Sequence, residues 1–351
     1  MWSCERWLGQ RAPQSAAAIL RDAADALAED ARPDRYGDGG VVEEFEGWMT
    51  SMLGTEAAAV FPSGTMAQQI ALRIHCQRRG LDTVAYHPTC HLELHEHGGH
   101  AHLHGLKAEL VGQRDRPLTR VDLEGVRARI GALLIELPQR EIGGRLPEWD
   151  ELGSQVLWAR DRDAAVHLDG ARIWESAPYY GRSHAEIAGL FDTVYVSLYK
   201  GLGGFAGSVL AGSADVISEA RVWRHRHGGT LSTLFPFAAA ALRGLDQLVG
   251  QMPRFLAHAR DLATALSALP GVAIVPDPPQ TPLFHIHLTG ERDMLWEKAL
   301  DLAQTHRVWL FNALEASVVP GVSRAELNIG APALAVSPAE AAQLFAVLTA
   351  G

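Results

Sequence analysis

Cysteine is scarce in this sequence, and its scarcity excludes a disulfide scaffold. The three cysteines, Cys4, Cys76 and Cys90, are widely spaced and odd in number, so they predict no disulfide framework. This usage is typical of a reducing compartment, and we therefore expect a cytoplasmic protein. The N-terminal residues, MWSCERWLGQR, lack the apolar core of a signal peptide.

An excess of positive charge and a long apolar segment are missing as well. The formal net charge is −10, which argues against a nucleic-acid partner because such proteins present a basic surface. No apolar run approaches the ~20 residues that span a bilayer, so no membrane partner is expected. The rest of the composition, 47% hydrophobic and 21% charged over 351 residues, is that of a globular protein with one large and one smaller domain.

Two short apolar runs each end in a residue with useful chemistry. Residues 166–168 precede Asp169, and residues 194–199 precede Lys200. Short apolar runs bounded by turn residues predict buried parallel strands. Ligands of such folds bind outside the carboxyl ends of the strands, which is where Asp169 and Lys200 fall.

A lysine amine and a carboxylate at neighbouring strand ends suit pyridoxal 5'-phosphate. This cofactor needs a lysine for its Schiff base and a carboxylate that keeps its ring nitrogen protonated. Burial also frees a lysine amine as a nucleophile. Taken singly, Asp169 is better explained as a helix cap and Lys200 as a solvated loop residue. Together, in these contexts, they favour the cofactor.

A predicted strand at residues 57–61 leads into a turn that is suited to an anion. The turn contains Ser63, Gly64 and Thr65, and a helix follows it to about Arg79. Free backbone amides, two hydroxyl groups and the positive end of the helix dipole together form an anion site. The turn is weak evidence by itself, since Ser and Thr cap many helices.

The segments HLDGAR, KGLGG and GSVLAG together resemble the threonine aldolase and β-eliminating lyase family of fold type I pyridoxal phosphate enzymes. The resemblance extends from about Tyr36 to Gly229. It implies an α/β fold like that of aspartate aminotransferase, with a mostly parallel sheet flanked by helices. We expect a large cofactor-binding domain at residues 1–245, including an N-terminal helical segment, and a smaller C-terminal α/β domain at residues 246–351.

The resemblance also implies roles for the residues of these motifs. Lys200 would hold the cofactor, Asp169 its ring nitrogen and Arg172 its ring oxygen, and the turn at residues 63–65 would hold its phosphate. A basic residue of RVWRHRHGG, which we assign to Arg224, would reach the phosphate, either within its own subunit or across a subunit interface. The alternative for this segment is a set of cations placed favourably at a helix C-terminus.

The segment 87–104 allows two interpretations because it is rich in histidine. Its seven histidines are His87, His91, His95, His97, His100, His102 and His104. His91 and His95 have the i, i+4 spacing with which two imidazoles share a zinc ion on a helix. The resemblance favours another role, in which His91 stacks on the cofactor ring as a catalytic residue and Glu96 is the carboxylate that follows it. We therefore expect no metal.

The positions expected to bind the substrate are where this sequence departs most from the family pattern. Tyr36 and Glu96 match segments that approach the substrate, although Tyr36 would equally pack a helix entry. Ser232 and Glu326 stand where arginines that bind the substrate carboxylate are expected. Losing such an arginine–carboxylate pair costs roughly 2–5 kcal/mol of binding. Arg140, whose guanidinium can bind a carboxylate through two hydrogen bonds, is our candidate replacement. Arg324 and Arg226 are alternatives, and a different substrate is another.

The resemblance predicts an aldolase that cleaves the Cα–Cβ bond of a β-hydroxy-α-amino acid to glycine and an aldehyde. Alternatives are a β-eliminating lyase, an aminotransferase or a racemase acting on another amino acid, or a cofactor-binding homologue that has lost catalysis. The expected partners are a small amino-acid substrate and a second copy of the chain. A homodimer or homotetramer would complete the active site at the subunit interface, with Arg224 or Arg226 crossing it.

Overall fold

The computed structural model describes residues 1–350, which form two compact units. The first, here called the sheet unit, comprises Ala16–Gln139 and Leu146–Gly250; the second, the C-terminal unit, comprises Met1–Ser15, Arg140–Arg145 and the chain from Gln251 onward. This division differs from the predicted domains in placing residues 1–15 and 140–145 with the C-terminal unit. The boundary between functional domains at residues 245 and 246 stays a prediction.

The described part of the chain, residues 1–350, forms thirteen strands and fourteen α-helices. The strands are β1 Arg6–Trp7, β2 Ala57–Phe61, β3 Thr83–Tyr86, β4 Lys107–Leu110, β5 Ala132–Glu136, β6 Ala165–Asp169, β7 Thr193–Ser197, β8 Ser208–Gly212, β9 Val272–Val275, β10 Leu283–Thr289, β11 Val308–Trp309, β12 Glu315–Ala316 and β13 Val322–Asn328. The helices are α1 Ala16–Asp25, α2 Gly40–Leu53, α3 Gly64–Arg78, α4 His91–Leu94, α5 Gly99–His104, α6 Arg120–Glu124, α7 Trp149–Arg160, α8 Ile173–Tyr180, α9 His184–Ala188, α10 Ala214–Arg226, α11 Phe235–Gln247, α12 Met252–Ser267, α13 Arg292–His306 and α14 Pro338–Thr349. Within residues 1–350, none of these helices has both the length and the apolar character needed to cross a membrane.

The sheet unit is built on seven strands in the order β2-β8-β7-β6-β5-β3-β4. All pairs are parallel except those made by β8, which runs antiparallel to both β2 and β7. Strands β5, β6, β7 and β8 are buried along their whole length, as their continuous apolar runs predict. The mostly parallel sheet flanked by helices is confirmed.

Because β2, β3, β5, β6 and β7 run in the same direction, their carboxyl ends lie at one edge of the sheet. Asp169 is the last residue of β6, and Lys200 follows β7 by three residues. The apolar run predicted to reach residue 199 therefore stops earlier, at Ser197, and the chain enters its glycine-rich turn sooner than the sequence indicates.

The C-terminal unit contains a four-stranded antiparallel sheet in the order β12-β13-β10-β9 and a parallel pair of β1 with β11. Buried and partly exposed positions alternate along β13, whereas the first four residues of β10 are all buried. The segment 235–269, which the sequence predicts as one long or broken helix, is broken: α11 ends at Gln247, a 3-10 turn covers Val249–Gln251, and α12 begins at Met252 next to Pro253.

Candidate active site

The turn after β2 has the geometry of an anion site. Ser63 has an extended backbone and caps α3, since its side-chain oxygen accepts a hydrogen bond from the Met66 amide at 3.3 Å. Gly64 begins the helix, and a Cβ atom at this position would lie 2.1 Å from the Tyr195 hydroxyl oxygen. Glycine is therefore required here by close approach. The N-terminus of this 15-residue helix presents backbone amides and a positive dipole end toward an anion.

Asp169 is 2% exposed, and its carboxylate is held by the backbone of the residues that follow the strand. Its Oδ1 accepts a hydrogen bond from the Ala171 amide at 3.1 Å. In the sheet register it lies between Glu136 of β5 and Tyr195 of β7. A fixed buried carboxylate of this kind can hold a cationic ring nitrogen.

His91 begins α4, beyond the end of β3, and two carboxylates hold it. Its backbone amide donates to Glu136 Oε2 at 3.0 Å, and its Nδ1 lies 3.0 Å from Glu96 Oε1. The His91 side chain is 28% exposed whereas that of Glu96 is 0% exposed. The imidazole of His91 is thus held at Nδ1 by Glu96, and part of its side chain remains accessible to solvent.

Lys200 lies in the turn between β7 and β8 and is partly exposed. Its carbonyl accepts a hydrogen bond from Gly203, and the Leu198 carbonyl accepts one from Gly204 at 2.9 Å. Gly207 has φ +89°, and a Cβ atom there would contact Phe237 at 2.9 Å. The glycines let the turn fold tightly after Lys200, so the lysine backbone is fixed.

Arg172 and Arg224 occupy different surroundings. Arg172 follows Asp169 by three residues and is 9% exposed, and within residues 1–350 its Nε has no hydrogen-bond partner. Arg224 is 3% exposed, and its Nη1 donates to the Val60 carbonyl at 2.6 Å. Its guanidinium also packs against Gly37 and lies 5.7 Å from the Phe61 ring centroid. Arg224 is therefore inside its own chain, unlike the predicted position in which it crosses to a second subunit.

The substrate-binding candidates lie in different environments. Tyr36 has a side chain that is 52% exposed and a left-handed backbone, φ 57°, stabilised by the bond of its amide to the Ser232 carbonyl at 3.0 Å. Arg140 belongs to the C-terminal unit and is paired there with two carboxylates. Its Nε lies 2.7 Å from Glu326 Oε2 and its Nη1 lies 2.9 Å from Glu141 Oε1. The candidate replacement arginine thus contacts the very glutamate that stands where the resemblance expects an arginine.

The histidine-rich segment is divided between buried and exposed residues. His87 is buried, and its Nδ1 receives a hydrogen bond from Gln139 Nε2 at 2.6 Å. His100 is buried beside the Tyr86 hydroxyl, and this burial lowers its pKa. Within residues 1–350 no group of three or more His, Cys, Asp or Glu side chains is arranged to hold a metal ion. The sequence allows the histidines other than His91 to be surface or supporting residues, and the burial of His87 and His100 fits the second of these alternatives.

Sequence reasoning also missed two residues that the structure brings to this edge of the sheet. Glu136 ends β5 as Asp169 ends β6, and the two are register partners; the same criterion, an acidic residue after an apolar run, identifies it in ALLIE. Tyr195 lies mid-strand in an apolar run, and no feature of the sequence distinguishes it from a core aromatic. Its position against Gly64 depends on the packing of α3 on the sheet.

The fold and the strand-end geometry define a class of protein, that of the fold type I pyridoxal phosphate enzymes. Solved structures with this architecture include a serine palmitoyltransferase of Sphingomonas wittichii, which is 16% identical with a TM-score of 0.70 over 98% of this chain and 86% of that one. Such a distant likeness establishes the fold alone.

The chain belongs to the beta-eliminating lyase family, whose model matches residues 13–289. A crystal structure of a Listeria monocytogenes protein provisionally named an L-allo-threonine aldolase is 37% identical, with a TM-score of 0.93 over 99% of this chain and 96% of that one. Aldolase vrtJ of Penicillium aethiopicum is 35% identical over 62% of this chain, and the low specificity L-threonine aldolase of Escherichia coli K12 is 31% identical over 62%. These matches span 58% and 67% of the lengths of the two curated relatives.

Proposed function

We propose that this protein is a pyridoxal phosphate-dependent lyase that cleaves the Cα–Cβ bond of a β-hydroxy-α-amino acid to give glycine and an aldehyde. The observation that carries the proposal is the position of Asp169, Lys200 and the turn at residues 63–65 after parallel strands that end at one edge of the sheet. The similarity to proteins named threonine aldolases over nearly the whole chain supports the choice of reaction.

Two observations indicate that the residues present fit the cofactor. Gly64 lets the Tyr195 phenol approach the N-terminus of α3 closely, and the free backbone amides of this helix end would hold a phosphate group. The buried Arg172 Nε is without a partner among residues 1–350, and a ring oxygen would satisfy it. Arg172 follows Asp169 by three residues, and Tyr195, which Gly64 approaches, is the register partner of Asp169.

When bound, pyridoxal phosphate supplies an electron sink for the charge that develops at the substrate α-carbon. Lys200 would hold the cofactor through its amine, Asp169 would keep the ring nitrogen protonated, and the turn at residues 63–65 would hold the phosphate. His91 would lie on the ring and accept the proton of the substrate β-hydroxyl through Nε2, directly or through one water. Its bond to Glu96 orients the imidazole for this step.

A β-eliminating activity is the second candidate, because the family model that matches residues 13–289 is described as a beta-eliminating lyase. The substrates of both reactions are α-amino acids, so the pairing of Arg140 with Glu141 and Glu326 does not distinguish them. Incubation with a panel of amino acids distinguishes the reactions: glycine plus an aldehyde supports cleavage of Cα–Cβ, whereas pyruvate plus ammonia without aldehyde supports elimination.

The decisive experiment uses the small number of lysines. The sequence has three, Lys107, Lys200 and Lys298, so borohydride reduction followed by peptide mapping identifies the attachment site without ambiguity. We expect the cofactor on Lys200. Lys200→Ala should lose turnover and the bound visible absorption band, while Lys107→Ala, which removes only an exposed pair with Asp82, should keep both. Full activity and an unaltered spectrum in Lys200→Ala would end this proposal.

We also propose a homodimer or homotetramer whose active site is completed at the subunit interface. Arg226 is exposed at the end of α10, whereas Arg224 is buried, so Arg226 is the better candidate to reach a neighbouring phosphate site. Mixed dimers of Arg226→Ala with Lys200→Ala should recover part of the activity that each variant lacks alone. A monomer in sedimentation that turns over at the full rate would contradict the shared site.

A further inference from the structure

Two consecutive glutamines of α3 hold one buried carboxylate. Gln68 Nε2 donates to Glu96 Oε1 at 3.2 Å, and Gln69 Nε2 donates to Glu96 Oε2 at 2.9 Å. Both glutamines are 1% exposed and Glu96 is 5% exposed. Consecutive helical residues point about 100° apart, so the carboxylate lies between two side chains that converge on it.

The same carboxylate contacts His91, so the glutamines act on the imidazole through Glu96. Both oxygens of the Glu96 carboxylate accept hydrogen bonds from amide N–H groups, and a carboxylate offers acceptors only. The His91 Nδ1 atom, 3.0 Å from Glu96 Oε1, must then carry the proton. In neutral imidazole this leaves Nε2 as the hydrogen-bond acceptor.

The absence of a side chain at Gly99 leaves space for the Gln69 amide. A Cβ atom at Gly99 would lie 2.5 Å from Gln69 Nε2 and 2.9 Å from its Oε1. Gly99 begins α5, immediately after Gly98 in its left-handed conformation with φ +67°. The glycine pair after Glu96 therefore has a physical reason: a side chain at residue 99 would displace the amide that holds the carboxylate.

We propose that Gln68 and Gln69 are positioning residues for His91: they hold Glu96 as an acceptor and thereby fix the imidazole with its proton on Nδ1 and its Nε2 free to accept the substrate proton. The inference rests on the proposed function for the role of His91. Two turns of α3 then contribute to the site. The first turn forms the anion site, and the second turn orients His91, which takes the proton.

The first test measures the tautomer itself and needs no turnover. In long-range proton–nitrogen spectra of protein labelled with nitrogen-15 at histidine, His91 is assigned as the signal lost in His91→Asn. We expect its Nδ1-protonated pattern in the unaltered holoenzyme. The double variant Gln68→Met, Gln69→Met keeps side-chain volume but removes both donors, so the pattern should become a mixture of tautomers or a charged ring. Gln155→Met is the matched control, since Gln155 is a buried glutamine of α7 that donates to the Leu118 carbonyl.

The second test is kinetic and uses a different route to the same contact. Gly99→Ala should displace the Gln69 amide and lower kcat about tenfold with KM changed less than twofold, since an oriented acid–base residue contributes mainly to the chemical step. The single variant Gln69→Met should do the same, and Gln155→Met should not. If His91 keeps the Nδ1-protonated pattern in both Gln69→Met and Gly99→Ala, the positioning role is wrong, even where the lyase activity of the unaltered protein is confirmed. If the tautomer shifts but the unaltered protein shows no lyase activity, the positioning holds and the proposed function fails.

Discussion

The backbone of Gly64 lies directly against the phenol of Tyr195: a Cβ atom on the glycine would be 2.1 Å from the hydroxyl oxygen and 2.4 Å from the ring carbon that bears it. Tyr195 is 3% exposed on β7, beside Asp169 in the sheet register. Burial and the nearby charge of Asp169 raise the pKa of Tyr195 well above its ordinary value. The phenol is therefore a neutral group that fixes how closely α3 approaches the sheet.

Gly64→Ala should weaken the anion site more than it weakens the fold. The new methyl group must push the N-terminus of α3 away from Tyr195, which moves the amides that would hold the cofactor phosphate. We expect at least a tenfold rise in the cofactor dissociation constant, measured by titrating the apoprotein and following visible absorbance. Gly47→Ala, in a helix where nothing lies within 4 Å of the new atom, is the control and should bind the cofactor normally. Equal cofactor affinity in the two variants would contradict this account of the turn.

Asp34 should be a strong stabilising residue of the sheet unit. It is 5% exposed and accepts hydrogen bonds from the Thr233 hydroxyl at 2.6 Å and from the amides of Phe235 and Gly37 at 2.8 Å each. Hydrogen bonds to a charged group contribute about 1.5–3 kcal/mol. Asp34→Asn should therefore lower the free energy of unfolding by about 2 kcal/mol, measured by urea denaturation at pH 7, whereas Asp38→Asn, at an exposed carboxylate, should change it little.

The stabilisation by Asp34 should disappear in acid. Burial raises its pKa, but the bonds from Thr233, Leu234, Phe235 and Gly37 together outweigh burial and lower it. Because the pKa in the folded protein is below the unfolded value near 3.9, the stabilisation is complete above about pH 4 and is lost as pH falls through the folded value. The difference between the parent and Asp34→Asn should stay constant from pH 8 to 5 and shrink below pH 4. A difference that persists at pH 2 would show that packing, and not charge, stabilises this segment.

Two buried histidines should make the sheet unit sensitive to mild acid. His75 Nε2 and His167 Nδ1 each lie 2.8 Å from the Thr193 hydroxyl. Burial, with smaller opposing effects of neighbouring charges, lowers the pKa of His75 to about 4, and burial together with the charge of His75 lowers the pKa of His167 to about 3. The unfolded chain takes up these protons near pH 6.5, so stability falls as pH drops below that value.

His75→Gln keeps a hydrogen-bonding group beside Thr193 but cannot titrate. Between pH 6 and 5 the free energy of unfolding should fall less steeply with pH in this variant, by about 1 kcal/mol per pH unit. Urea denaturation at several pH values gives the slope, with His102→Gln, at an exposed histidine, as the comparison. An identical slope in His75→Gln and the parent would exclude His75 as a source of the acid sensitivity.

The role predicted for Arg140 from the sequence, binding of the substrate carboxylate, implies opposite effects of substitutions at Arg140 and at its partner Glu326. If Arg140 binds the substrate carboxylate, Arg140→Gln should raise KM at least tenfold, since an arginine–carboxylate pair contributes a few kcal/mol. Glu326→Gln removes a competing charge 2.7 Å from Arg140 Nε, so it should lower KM severalfold with little change in kcat. Arg243→Gln, which breaks an exposed pair with Asp22 at 2.9 Å, controls for lost surface charge. An unchanged KM in Arg140→Gln would remove this residue from substrate binding.

Features that depend on short stretches of chain follow from the sequence alone. The strands that end at Asp169 and precede Lys200, and the helix that Ser63 caps, are specified by apolar runs and turn residues next to one another. Their common edge follows as well, because connected parallel strands present their carboxyl ends on one side. For this reason the fold class and the principal strand-end residues were predicted correctly in position, although the start of the turn before Lys200 was placed two residues late.

Contacts between distant segments were decided only by the tertiary structure. No local pattern shows that Arg224 turns inward to the carbonyl of Val60, 164 residues away, or that Glu326 meets Arg140. The same holds for Gln69, whose amide becomes a support for His91 only when α3 packs beside the segment that carries Glu96. The sequence determines which side chains have charges and donors, but burial and packing decide which of them meet, because a buried polar group must find a partner wherever the fold places one.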